Sequence, residues 1–237
     1  YTHPDLAANI WTNPGEVAGD GIDNDNNGFI DDVHGWDFRN NDADPMDDHR
    51  HGTHVAGIIG AVGNNSLGVT GVAQQTSIMA LKFLDDRNSG YTSDAVRAIN
   101  YATMMSADFD TNVRVLNNSY TGQRSTALEN ALAATIQEDI LFVSASGNGN
   151  VLGRGIDIDN DPVYPASLNT ANMLVVGATG QFDEMARFSN YGVNTVHLAA
   201  PGVGIYGLAP TSMGSYQSLS GTSMAAPMVT GTASLLF

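Results

Sequence analysis

The sequence predicts an α/β fold built around a mainly parallel sheet, on three observations. Beyond residue 48, short apolar runs alternate with helical patterns. The strand-like runs are almost continuously apolar, as expected of strands covered on both faces rather than one. The 42% hydrophobic content of 237 residues suffices for a substantial core, and no shift in composition marks a linker.

The elements follow in chain order. The first 48 residues are polar and turn-rich, with little periodicity. Residues 51–62 fit a helix, and 77–83 (Ser-Ile-Met-Ala-Leu-Lys-Phe) a buried strand. Residues 92–106 fit an amphipathic helix capped by Thr92 or Ser93. A strand over 113–118, a helix over about 125–138 and a strand over 140–145 come next. Strands over 173–178 and 196–199 precede a closing helix that starts near Thr222. Active sites in such folds lie at the carboxyl ends of the strands.

Composition excludes several classes of function. The formal charge is −16, with 25 acidic residues against 9 basic ones, and Lys82 is the single lysine. Phosphate contacts need a basic surface, so nucleic acid is not an expected partner. No apolar run is long enough to span a bilayer, so neither is a membrane. Without cysteine there are no disulfides, thiolate metal sites or thiol nucleophile. Of the 25 acids, 21 are aspartates, and 11 of those fall in the first 48 residues. Aspartate in Gly/Asn-rich loops suggests calcium there, against a merely solvated acidic surface.

Two motifs carry reactive side chains beside glycine at the head of helix-compatible runs. They are His51-Gly52-Thr53-His54-Val55-Ala56-Gly57 and Ser220-Gly221-Thr222-Ser223-Met224-Ala225-Ala226-Pro227. Ser223 is a candidate nucleophile that needs an adjacent base, and a helix N-terminus favours a developing oxyanion. Read alone, Ser223 or Thr222 would simply cap the helix. His51 is the candidate base; His54 would make a metal pair with it, but no H-E-x-x-H pattern follows. Ser144-Ala145-Ser146-Gly147-Asn148 closes an apolar strand, where the Asn148 amide could donate to an oxyanion. A third segment spaces Asp23, Asp25, Asn27 and Asp31 around Gly28 in the manner of an EF-hand loop, although His34 replaces the closing glutamate.

HGTHVAG, SASGN and GTSMAAP, in this order, resemble the subtilisin-like serine proteases (subtilases). His3-Pro4-Asp5-Leu6, Asn64-Asn65-Ser66-Leu67-Gly68-Val69, Tyr164-Pro165, Phe188-Ser189 and Ala200-Pro201-Gly202 extend the resemblance along the whole chain. It implies a three-layer α/β/α sandwich and an endopeptidase acting through an acyl-enzyme. Ser223 would be the nucleophile, His51 the base, and the Asn148 amide with the Ser223 N–H the oxyanion hole. The peptide would add as a strand between Ser89-Gly90-Tyr91 and Ser119-Tyr120-Thr121-Gly122, with Ala145, Ser146 and Gly147 lining the primary pocket. Tyr120-Thr121 departs from the family, which usually has a second glycine there.

The resemblance also implies structural Ca²⁺: one site from Asp5, the Asn65 side chain and the carbonyls of Gly63, Leu67 and Val69; a second from Asp37, Asn40 and Asp42. A secreted monomer acting on polypeptides is expected, with room for a prodomain in the parent protein. The orienting aspartate of the family precedes the His-Pro-Asp-Leu segment, so Asp5 is not that acid. The expectation is a single catalytic domain over 1–237 that lacks the N-terminal strand with the triad aspartate and the end of the C-terminal helix. Such a chain alone would be nearly inactive, by about 10⁴-fold in kcat. The alternatives are a catalytically inactive calcium-binding module of the same ancestry, or an esterase.

Overall fold

A computed structural model describes residues 1–237. The chain divides into two compact units: Tyr1–Ala98 with Leu208–Tyr216, and Ile99–Gly207 with Gln217–Phe237.

In the first unit, β1 (Gly35–Asp37), α1 (His51–Gly60) and β2 (Ala80–Lys82) are the regular elements ahead of α2 (Thr92–Asp108), within which the division falls. β1 and β2 pair in parallel, with Trp36 opposite Leu81 and Asp37 opposite Lys82. A small core of Leu6, Ala61 and Leu208 is flanked by Ile10, Val69, Ile78 and Tyr216. What organises residues 13–49 is polar. Carboxylate and amide oxygens accept backbone N–H groups two residues on: Asn13 from Gly15, Asp20 from Ile22, Asn27 from Phe29, Asp42 from Asp44 and Asp47 from His49. These Asx turns satisfy the backbone where no ladder can. Much of the aspartate density that suggested calcium is therefore turn chemistry.

The second unit carries β3 (Val115–Asn118), α3 (Thr126–Gln137), β4 (Leu141–Ala145), β5 (Met173–Thr179) and β6 (Leu198–Pro201). The four strands form one parallel sheet in sequence order. β7 (Ile205–Leu208) and β8 (Tyr216–Leu219) make a separate two-stranded sheet, and α4 (Thr222–Ser234) closes the fold. β4 and β5 are buried almost throughout, which explains their unbroken apolar runs. Ala225, Ala226 and Val229 of α4 join Val143, Ala145, Val176, Ala178 and Ala200 in the core. Small residues on both sides let the helix approach the sheet closely. Ser125 caps α3, its hydroxyl accepting from the Leu128 N–H.

The α/β class and the mainly parallel sheet are those the sequence predicts. Most elements match to within two residues at each end, but β2 keeps only three of the seven residues expected of it, α2 and β5 run two residues and one residue longer, β6 lies two residues later, and β1, β7 and β8 do not stand out in the sequence. Thr92 opens α2 as its first helical residue.

Candidate active site

In a parallel sheet all carboxyl ends share one edge, and here that edge gathers the loops after β3 and β4. Ser223 sits in the first turn of α4, where the backbone N–H groups lack intrahelical acceptors. Neither hydroxyl of the motif caps the helix. Gly221 holds the cap position without a side-chain bond, and Thr222 turns elsewhere. Its N–H and its hydroxyl both donate to Asn148 Oδ1, at 2.8 and 2.9 Å. The Thr222 hydroxyl in turn accepts the Gly147 N–H at 3.1 Å.

With its oxygen held by two donors, the Asn148 amide must present its NH₂ group away from Thr222. A Cβ on Gly221 would stand 3.3 Å from that nitrogen, so glycine leaves the amide its space. Gly147 has φ +99°, and a Cβ there would lie 2.5 Å from the Asn190 amide nitrogen. That amide donates to the Ser146 carbonyl at 2.9 Å, while the Ser146 hydroxyl donates to the Asn190 carbonyl at 3.1 Å. The 145–148 turn is thus fixed from both ends.

After β3, the Ser119 hydroxyl donates to the Ser223 carbonyl at 3.0 Å and the Ser223 hydroxyl donates to the Ser119 carbonyl at 3.2 Å. Asn117 supports this pair by donating to the Ser119 hydroxyl. The Gly122 N–H donates to the Tyr164 carbonyl at 2.7 Å, which fixes the far end of the 119–122 segment. Burial pushes the Tyr120 phenol well above its ordinary value, so it stays protonated. The second unit therefore brings together Ser223, Asn148, Ser119, Ser146 and Gly147. Thr222, which orients the amide, went unnoticed in the sequence beyond a capping role; the threonine between the motif's glycine and serine was its signal.

His51 belongs to the first unit, as the first residue of α1. Arg50 at the cap position offers no side-chain bond. Asp47 substitutes for it from six residues upstream of Thr53, accepting both the Thr53 N–H and hydroxyl at 2.7 Å. Burial, with the positive charge of His49 and His54 adding to it and Asp47 opposing, lowers the His51 pKa to about 4. The imidazole is therefore neutral, as a base must be. No carboxylate of this chain hydrogen-bonds its ring. His54, three residues on in α1, is fully buried. Ser89 and Gly90 also lie in this unit, in a turn held by Asp85, which accepts the Arg87 and Ser89 N–H groups at 3.0 Å. Arg39 pairs with Asp85 at 3.3 Å and covers the Tyr91 ring at 4.8 Å.

The three expected calcium sets differ. Asp5 is fully buried, accepts from Asn65 Nδ2 at 2.7 Å and from the Val69 N–H at 3.0 Å, and joins none of the five ion pairs. Gly63 and Leu67 lie in the same loop, with Leu67 N–H donating to Asn65 Oδ1. A buried carboxylate met only by neutral donors suits a hard cation, but Asn65 turns its NH₂ to Asp5 and its oxygen to Leu67, so the expected Asn65 oxygen ligand is not presented there. In the third set the carboxylates of Glu16, Asp23 and Asp25 approach within 4.8 Å of one another, which also fits. Glu16 was missed because it lies ahead of the loop and folds over it, accepting from the Asn24, Asp25 and Asp31 N–H groups. Asp31 is drawn away instead, receiving the Gly19, Asp20 and Gly21 N–H groups. Asn27 turns its NH₂ to Asp25, offering no oxygen there. In the second set, Asp37 already holds Lys82 Nζ at 2.7 Å, Asn40 donates to Asp37, and Asp42 accepts the Asp44 N–H.

A parallel α/β sheet whose strand ends gather a helix-borne serine and an oriented amide defines a protein that works from its loops. The chain belongs to the subtilase family, whose model matches residues 1–237. It is 39% identical over 251 residues to Subtilisin-like protease 1 of Plasmodium berghei (strain Anka), spanning 100% of this chain and 40% of that protein. Thermitase of Thermoactinomyces vulgaris is 37% identical, over 99% of this chain and 70% of that protein. The crystal structure of a cold adapted subtilisin-like serine proteinase superposes with a TM-score of 0.73 at 32% identity, covering 99% of this chain and 70% of that one. The chain spans 40% or less of the length of the Plasmodium relatives it matches first.

Proposed function

We propose that this chain carries the nucleophile, the base and the oxyanion donors of a serine endopeptidase. The observation that carries the reading is the Asn148 amide, locked by Thr222 with its NH₂ group toward Gly221 in the turn before Ser223. The Asn148 oxygen satisfies the Thr222 N–H at the start of α4, and that bond turns the NH₂ group away from Thr222 and leaves it able to donate. In the reaction, Ser223 Oγ attacks the scissile carbonyl carbon while neutral His51 takes its proton. The Asn148 NH₂ and the Ser223 N–H receive the oxyanion. His51 then protonates the leaving amine, and water releases the acyl group from Ser223 by the same steps in reverse order.

The substrate is read as an extended peptide seated on Ser119–Gly122 and Ser89–Tyr91, with Ala145, Ser146 and Gly147 along the primary pocket. Calcium, held by Asp5 with the 63–69 loop and by Glu16, Asp23 and Asp25, would brace these loops and supply no chemistry. A secreted monomer matured from a prodomain-bearing parent belongs to the same reading. No helix is long and apolar enough to cross a membrane.

A fluorophosphonate probe tests the proposal. Ser223 is expected to label, Ser223→Ala to stay unlabelled, and Asn148→Ala to label about 10²–10³-fold more slowly. The acid limb of the labelling rate should fall near pH 4, because the base is neutral above that value. With no carboxylate on the His51 ring, peptide turnover by this chain alone should lie about 10⁴-fold below that of its relatives. A chain that binds calcium and never labels would be the non-catalytic module instead.

A further inference from the structure

Lys82 is the single lysine of a chain with 25 acidic residues, and it is not on the surface. Its side chain, on β2, is 10% exposed. The ammonium lies 2.7 Å from Asp37 Oδ2 on β1, itself buried, and 3.3 Å from Asp48 Oδ2. An ammonium is withdrawn from water only where anions replace the hydration it loses. Burial works against its charge, but the hydrogen bond and charge of Asp37, with Asp48 adding, prevail and raise the Lys82 pKa above the ordinary lysine value.

The rest of Asp37 is also spent. Its Oδ1 accepts the Arg39 and Asn40 N–H groups at 2.8 and 2.9 Å, and its Oδ2 takes the Asn40 side-chain amide at 2.9 Å. A calcium ion sits about 2.3–2.6 Å from its ligand oxygens. On Asp37 Oδ2 it would face the ammonium across a single atom, with a donor amide rather than an oxygen from Asn40. The Asp37, Asn40 and Asp42 set does not fit a divalent cation.

We infer that Lys82 is a positioning residue whose ammonium takes the place of a cation in the 37–48 loop and holds the chain entering His51. The clasp joins β1, β2 and Asp48. Asp48 adjoins Asp47, the carboxylate that caps α1 through Thr53, and His51 opens that helix. One ammonium thereby ties both parallel strands to the segment that aims the imidazole. The clasp stands on this geometry alone; its consequence for labelling rests on His51 being the base.

Amide hydrogen exchange of the full chain, with chelator and with calcium, tests it. In the wild type, protection of the Arg39 and Asn40 amides should be equal in both conditions. Lys82→Met should speed their exchange roughly tenfold or more in chelator, with calcium restoring part of the protection, whereas Lys82→Arg should match the wild type. Asp48→Asn, which keeps the Asp37 pair, should leave those two amides protected and slow Ser223 labelling several-fold. Loss of Arg39 and Asn40 protection in chelator ahead of Val69, whose amide is bonded to Asp5, would overturn the inference. So would wild-type exchange in Lys82→Met. If the exchange pattern holds and no variant labels, the clasp stands and the peptidase reading falls. Should Lys82→Met fail to fold, the wild-type chelator comparison and Asp48→Asn still decide.

Discussion

The loops of residues 13–49 and the sheet of residues 115–201 solve the same problem by opposite means. In the sheet, backbone groups pair with each other, and fully buried Phe142, Val143, Val175 and Val176 fill the layer behind them. In the loops, aspartate and asparagine oxygens replace neighbouring strands, most capturing amides two to four residues away and Asp31 reaching back to Gly19. The sheet derives its stability from area removed from water, the loops from hydrogen bonds that burial would otherwise leave unmade. At the edge of the sheet Asn148 and Ser223 are fixed by bonds from Thr222 and to Ser119 over a packed layer, whereas carboxylates in the loops hold the segment before His51.

The largest test of this contrast is Phe142→Ala. Its side chain is fully buried in β4, and the cavity left should lower stability by about 3–5 kcal/mol in urea unfolding. A smaller loss would mean that the sheet is less tightly packed than its burial indicates. Next comes Asn13→Ala in the loops. Its amide is 3% exposed, donates to Asp25 and Asp32 at 2.9 Å each, and accepts the Gly15 N–H. Truncation leaves those carboxylates short of a donor, for an expected loss of about 1–3 kcal/mol. Calcium should partly offset it, since Asp25 belongs to the Glu16 cluster. A loss equal to that of Phe142→Ala would erase the distinction between the regions.

The same contrast explains what could be read from sequence. Strands β4 and β5 announce themselves as unbroken apolar runs because both faces are covered, and the helices because burial of one face imposes a period on apolar residues. The motif residues Ser223, Asn148 and His51 were legible as types of chemistry, although only the fold shows that Thr222 orients the amide. The loops obey no period. An aspartate that caps a turn, such as Asp31, and one that joins a carboxylate cluster, such as Asp23, look alike in sequence. Glu16 was overlooked because it acts across a loop closure rather than within a spacing. Lys82, at the end of a strand three residues long, was read as part of an apolar run, and nothing local identifies Asp37 and Asp48 as its partners.

Asp20 marks the lower limit of the polar strategy. It forms the same Asx turn as Asn13, accepting the Ile22 N–H at 2.9 Å, and it also takes the Asn24 amide at 3.1 Å. Unlike Asn13, it is exposed, as is Ile22, which it binds through the backbone turn, while Asn24 is half-buried. Water can replace each lost bond at the moment it breaks, so the net value of the turn is small even though its geometry matches that of the buried one. Asp20→Ala should change stability by no more than about 0.5 kcal/mol. The neighbouring Gly19 and Gly21 amides, held by Asp31, should keep their exchange protection. A loss approaching that of Asn13→Ala would show that the turns act as one cooperative network rather than as separate bonds weighted by their burial.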